Sequence, residues 1–181
     1  MIVVSGPFPG VVRRATPHDA AACQAIYAPY VRDTVISLET EPPSVAEMGG
    51  RLEAALRTHD WQVLEEDGEV RGYAYGGSYR SRAAYRWSCE VSVYLEPGLR
   101  RTGAGRLLYE TLFPLLVDRG YRMALAGMTL PNASSEGLHR SLGFRDVGTW
   151  RRIGWKFDAW HDVLWLQRPL IASDGPPAEL T

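Results

Sequence analysis

Apolar and polar positions along the chain follow two periods, and the switches between them mark the elements. VVRRAT, Val11 to Thr16, reads as a first strand. It runs into Thr16-Pro17-His18-Asp19, where a threonine cap, a proline at the first helical position and an aspartate three residues on predict a helix start. That helix is expected to reach about Val31. Ser44 and Glu47 repeat the capping pattern and open a second helix with Leu52, Ala55 and Leu56 on one side. WQVLEEDGEVRGYAYGGSY reads as strand, Asp-Gly turn and strand, a hairpin. In YRWSCEVSVYL a period of two puts Glu90, Ser92 and Tyr94 on one face and Val91, Val93 and Leu95 on the other.

Pro97-Gly98 ends that strand. A helix follows with Leu107, Leu108, Leu112, Leu115 and Leu116, and Pro114 inside it should kink it or loosen one turn. YRMALAGMTL is almost wholly apolar, as a strand covered on both faces would be. A short helix is expected from about Asn132 to Leu142, with Gly143 as its stop. Strands around Phe144 to Trp150 and Ala159 to Gln167 complete the order βααβββαβαββ, which describes one α/β (α+β) domain over residues 11–170. Residues 1–10 and 171–181, rich in Pro, Gly and polar residues, are expected to be flexible ends.

Bulk properties narrow the classes. The chain has 181 residues, enough for one full core, with 45% hydrophobic and 23% charged residues. A net charge of -1 excludes nucleic-acid or membrane binding through bulk charge. Cys23 and Cys89 lack zinc spacing and are too few for a disulfide framework, so two reduced, buried thiols in a cytoplasmic protein are expected. No His/Cys/Asp cluster has metal spacing. No apolar run approaches a membrane span or a signal peptide.

The sharpest chemical signal is RRTGAGRLLYE, Arg100 to Glu110. A P-loop would need Lys and Ser or Thr after its last glycine, but Gly105 precedes Arg106 and Leu107. A dinucleotide fingerprint would need a third small residue where Leu108 stands. What remains is Arg-x-x-Gly-x-Gly between a strand and a helix. It suits either a pyrophosphate held on backbone N–H groups at the helix N-terminus or a left-handed turn with solvated arginines.

RRAT, TVISLETEP, EEDGEVRGYAYGGSYRSRAAYRWSCEVSVYL, RRTGAGRLLYE, LPNASSEGLHRSLGF and WHDVLWLQ, taken in order, settle the preference. From about Arg13 to Gln167 the chain resembles the phosphinothricin and methionine sulfoximine N-acetyltransferases of the GCN5-related N-acetyltransferase (GNAT) superfamily. Leu38-Glu39 departs from the aromatic and basic pair expected of those relatives. Pro114 departs from a helix usually free of proline.

The resemblance implies a mixed central sheet with helices on both faces, acetyl-CoA as cosubstrate, a homodimer and a small amino-acid-like acceptor. It places the acetyl carbonyl and pantetheine against the backbone of Val93, Tyr94 and Leu95. The pyrophosphate falls to Arg101, Thr102, Gly103, Ala104, Gly105 and Arg106, and a further polar contact to Asn132. Arg80, Arg82 and Tyr85 match the acceptor region, where arginine can grip a carboxylate in bidentate fashion.

A protonated amine needs a base before it can attack, and Glu90 is the candidate; the alternative is a surface carboxylate on an edge strand, or an ion pair with Arg82 or Arg86. His139 stands where many relatives place the tyrosine that protonates the departing thiolate, and a surface helix histidine is the other reading. His161 is expected to be structural, and His18 and His59 solvated. A silent acyl-CoA-binding module, or an acetyltransferase for peptide N-termini or lysines, are the rival functions.

Overall fold

The computed structural model describes residues 10–99, 101–173 and 175–180. The expected flexibility of residues 1–9 and the first arginine of the glycine loop, Arg100, lie outside the described residues. Seven strands and four helices follow the expected order: β1 (Val11–Arg14), α1 (Ala20–Asp33), α2 (Val45–Thr58), β2 (Trp61–Glu66), β3 (Glu69–Ser78), β4 (Ser88–Leu95), α3 (Ala104–Asp118), β5 (Met123–Thr129), α4 (Ala133–Ser141), β6 (Arg145–Lys156) and β7 (Ala159–Pro169).

Local chemistry accounts for most boundaries. Asp19 accepts from the Thr16 amide at 2.7 Å and closes a 3-10 turn, Pro17–Asp19, ahead of α1. Ser44 and Glu47 exchange reciprocal bonds of 3.2 and 2.6 Å at the start of α2. Asp67 and Gly68 both take positive φ (52° and 80°), the geometry a two-residue hairpin requires. Helix α3 runs unbroken through Pro114, and α1 likewise contains Pro29.

The strands form one sheet in the order β1-β2-β3-β4-β5-β7-β6, and only β4 and β5 run parallel. Alternate residues of β2, β3 and β4 serve two cores on opposite faces. On one, Leu64, Ala74, Val91 and Ala126 pack with α3; on the other, Trp61, Val63 and Tyr73 pack with α1 and α2. The expected faces of β4 hold: Val91, Val93 and Leu95 belong to the α3 side and Tyr94 to the α1–α2 side.

Two expectations need correction. The strand expected to end at Trp150 continues to Lys156, because Phe157 and Asp158 turn with φ of 50° and 55° although neither is glycine. His59 is not solvated: it is buried, stacked on Tyr121 at 4.6 Å, and burial together with Arg119 pushes its pKa down to about 4. Near the C-terminus, the Trp87 indole donates to the Ala178 carbonyl at 2.8 Å and Arg86 pairs with Glu179.

Candidate active site

The parallel ladder between β4 and β5 stops early. Its register runs from Ser88↔Met123 to Glu90↔Leu125, and beyond it β4 continues to Leu95 without pairing to β5. Backbone groups on that side of Val91 to Leu95 therefore face an opening instead of a strand. Into this opening come the α3 N-terminus and the start of α4.

The result is a groove of about 540 Å³. Its walls include Val93, Tyr94 and Leu95 from β4, Arg101, Gly103, Ala104, Gly105 and Arg106 from the glycine turn, and Asn132 before α4. Gly103 takes φ of 89° as the α3 cap, a conformation that glycine adopts without strain. A Cβ on Gly105 would lie 3.0 Å from Leu138, so glycine lets α3 and α4 close together here. Thr102 is not on the wall; its hydroxyl donates to the Leu99 carbonyl at 2.9 Å and braces the turn. Asn132 also caps α4 by accepting from the Ser135 amide at 3.2 Å. A helix N-terminus whose cap, Gly103, has no side chain, flanked by arginines and opening on strand backbone not paired to β5, fits a long ligand with phosphates at one end.

A second cavity, about 470 Å³, holds Glu90 and meets the groove at Ile36 and Tyr94, which line both. Its other walls include Tyr27, Leu38, Glu39, Gly127, Trp150 and Trp165. Among the described residues no hydrogen bond or ion pair holds Glu90, and burial raises its pKa. The alternatives for Glu90 do not hold. Strand β4 is central in the sheet, and Arg86 is engaged with Glu179 and the Trp87 ring. Glu39 is held oppositely: Arg51 bonds it at 2.7 and 2.9 Å and, with Tyr27, keeps its pKa low.

Arg80, Arg82 and Tyr85 do not line this cavity. They lie on the exposed segment between β3 and β4, which reaches the rim through Tyr79 on Trp165 (6.0 Å) and Arg80 over Trp150 (5.9 Å). His139 is not on the surface, nor on either wall. It is 3% exposed, meets the Tyr109 hydroxyl through Nε2 at 3.1 Å and the Ser135 carbonyl through Nδ1 at 2.8 Å, and burial lowers its pKa. His161 bonds the Lys156 carbonyl at 2.9 Å, a bond that braces the β6–β7 hairpin. Among the described residues no His, Cys, Asp or Glu group could hold a metal, and no helix is long and apolar enough to cross a membrane.

Sequence reading missed Gly127, Trp150 and Trp165. Gly127 is the informative case, a glycine within an apolar strand, which signals close approach. Here the Trp165 ring lies 3.0 Å from where its Cβ would stand.

Residues 12–165 match the acetyltransferase (GNAT) domain family. The phosphinothricin N-acetyltransferase of Alcaligenes faecalis is 39% identical over 90% of this chain and 84% of its own length. The L-methionine sulfoximine/L-methionine sulfone acetyltransferase of Pseudomonas paraeruginosa is 31% identical over 92% of this chain and 98% of its own. The crystal structure of a GNAT superfamily phosphinothricin acetyltransferase from Sinorhizobium meliloti, in complex with acetyl-CoA, superposes with a TM-score of 0.90 at 34% identity, covering 95% of each chain. With the split β4–β5 pair, the glycine turn at α3 and a match over most of its length, the chain belongs to the GNAT acetyltransferase family.

Proposed function

We propose that this chain transfers an acetyl group from acetyl-CoA to the α-amine of a small amino-acid-like acceptor of the phosphinothricin, methionine sulfoximine or methionine sulfone type, with Glu90 as general base. The observation that carries the reading is Glu90 itself. It is a largely buried carboxylate with a raised pKa and no partner among the described residues, four residues along β4 from Tyr94, where two cavities meet. An unpaired carboxylate on a central strand is costly for the fold, and an amine placed against it offsets that cost.

Acetyl-CoA supplies the activated acyl group. The chain's part begins with binding: N–H groups at the α3 start, with Arg101 and Arg106, receive the pyrophosphate, and the edge of β4 at Val93 to Leu95, not paired to β5 and with the Leu95 carbonyl held by the Tyr30 hydroxyl at 2.6 Å, receives the arm and orients the acetyl carbonyl. Glu90 takes a proton from the acceptor's ammonium, directly or through a water, and frees the nitrogen lone pair for attack on the thioester carbonyl; the C–S bond breaks as the amide forms, and the further proton shed by the nitrogen neutralises the departing CoA thiolate. Arg80, over the rim residue Trp150, and Arg82 and Tyr85 on the same exposed segment are assigned to the acceptor's carboxylate and polar head group. The named relatives and the bound acetyl-CoA of the Sinorhizobium meliloti enzyme support this reading.

A thiol-release assay over a panel of amino acids and analogues tests it. Phosphinothricin or methionine sulfoximine should exceed ordinary amino acids in kcat/KM, and Arg82→Ala should raise the KM of the preferred acceptor. Efficient acetylation of polyamines or peptide lysines with none of the analogues would replace the acceptor while keeping the chemistry.

A further inference from the structure

Lys156, the last residue of β6, is a charged side chain only 5% exposed. Its ammonium donates to the carbonyls of Val31 (2.6 Å), Ser37 (2.7 Å) and Thr34 (2.9 Å), which uses all three of its protons. Val31 lies in the last turn of α1, where carbonyls have no helical partner and form the negative end of the helix dipole. Removing an ammonium from water is unfavourable unless such dipoles surround it, so three carbonyls within seven residues make a purpose-built cradle.

What the cradle holds is the segment between α1 and α2. Ile36, Leu38 and Glu39 of that segment line the cavity around Glu90. Two residues before Lys156, Gly154 makes a second attachment: a Cβ there would stand 2.5 Å from Leu38 Cδ1. Ile153 and Trp150 of the same strand also face the cavity. The strand reaches this position through a register break between Trp150 and Gly154, with Arg152 at φ 51° and its amide bonded to Asp162. Both walls of the cavity thus meet at the Lys156 and Gly154 contacts.

We propose that Lys156 is a positioning residue for the acceptor. By tying residues 34–38 to β6 it sets the separation of the Leu38–Glu39 wall from Glu90, and so the size of acceptor that fits. This rests on the reading of the Glu90 cavity as the acceptor site. A lysine that served only global stability would lower both substrate affinities and the melting temperature together. A positioning lysine separates the acceptor from acetyl-CoA, whose groove is built mainly from β4, the α3 turn and α4 and takes only Ile36 from residues 34–39.

The test uses Lys156→Met and Gly154→Ala in the full-length protein. For K156M, amides of residues 34–39 should exchange hydrogen faster. Acceptor kcat/KM should fall by up to about 10²-fold, the scale of a misplaced reacting group. The KM for acetyl-CoA should stay within about twofold. G154A keeps the lysine and displaces Leu38 from the same contact, so the ranking of bulky against compact acceptors should change. Unchanged loop exchange and acceptor KM in K156M, or parallel changes in both KM values, would overturn the proposal. Should K156M not fold, an unaltered acceptor ranking in G154A overturns it alone. Wild-type protein inactive on every α-amino acid would sink the acceptor reading, and the exchange measurement, which needs no acceptor, would still decide the clamp.

Discussion

Two carboxylates in one cavity have their pKa values pushed in opposite directions by their surroundings. Glu39 has Arg51 and Tyr27 as donors and stays ionised; Glu90 has none and is pushed toward its neutral form. Replacing Glu90 with glutamine should lower kcat by about 10²- to 10⁴-fold and leave acetyl-CoA affinity nearly intact. It should also remove the acidic limb of the kcat/KM profile, which lies above the ordinary glutamate value of about 4.3 because burial raises the pKa. The sign for stability is opposite to that for activity. At neutral pH the ionised Glu90 is poorly solvated, so E90Q should melt higher than wild type, and this advantage should vanish as pH falls below the unfolded-state pKa. A variant with full activity, or with a lower melting temperature at neutral pH, would make Glu90 a structural residue.

At the scale of elements, the α3 N-terminus and the end of α2 carry the two clearest tests. Excess acetyl-CoA should raise the melting temperature, a stabilisation of about 2.7 kcal/mol at a hundredfold excess over Kd. Gly105→Val places a branched side chain where a Cβ already lies 3.0 Å from Leu138, so α4 must move and the rise should disappear. An undiminished rise would remove the glycine turn from cofactor binding. At the end of α2, His59 has a folded-state pKa of about 4 against an unfolded value of 6.5. The unfolded chain therefore takes up a proton first as pH falls, and stability should drop through that window by up to about 3 kcal/mol. Denaturant midpoints of wild type and His59→Asn should converge in acid; equal slopes for both would assign the loss to other groups.

For the whole molecule, the exposed apolar surface is concentrated on one hairpin. Ile153, Trp155, Phe157 and Trp160 of β6, its turn and β7 are each half exposed or more, and β6 is the edge of the sheet. An edge strand with a row of aromatic side chains is a surface that a soluble chain covers. We propose that the homodimer implied by the family resemblance uses this face. Light scattering at micromolar concentration should give twice the chain mass, and Trp155→Arg together with Phe157→Arg should return it to the monomer value. A monomeric wild type would leave the aromatic hairpin without this explanation.

The order of elements, the faces of β4 and the glycine turn were all legible in the sequence, because each rests on neighbours a few residues apart: a capping box, a period of two, a helix start. Glu90 was legible for the same reason, as a charge at an inward-facing position of an apolar strand. The turn at Phe157-Asp158 was not, since its left-handed conformations are imposed by the long pairing of β6 with β7 and not by the residues themselves. Burial of His59 and His139 likewise depends on Tyr121 and Tyr109, each thirty or more positions away in sequence. The cavity around Glu90 is the strongest case. Its walls come from the segment after α1 and from β4, β5, β6 and β7, and the Lys156 ammonium ties two of them together by bonding carbonyls more than a hundred residues before it. Local sequence dictates the elements through short-range sterics and hydrogen bonds; the shape of the site follows from long-range contacts, which no window of sequence contains.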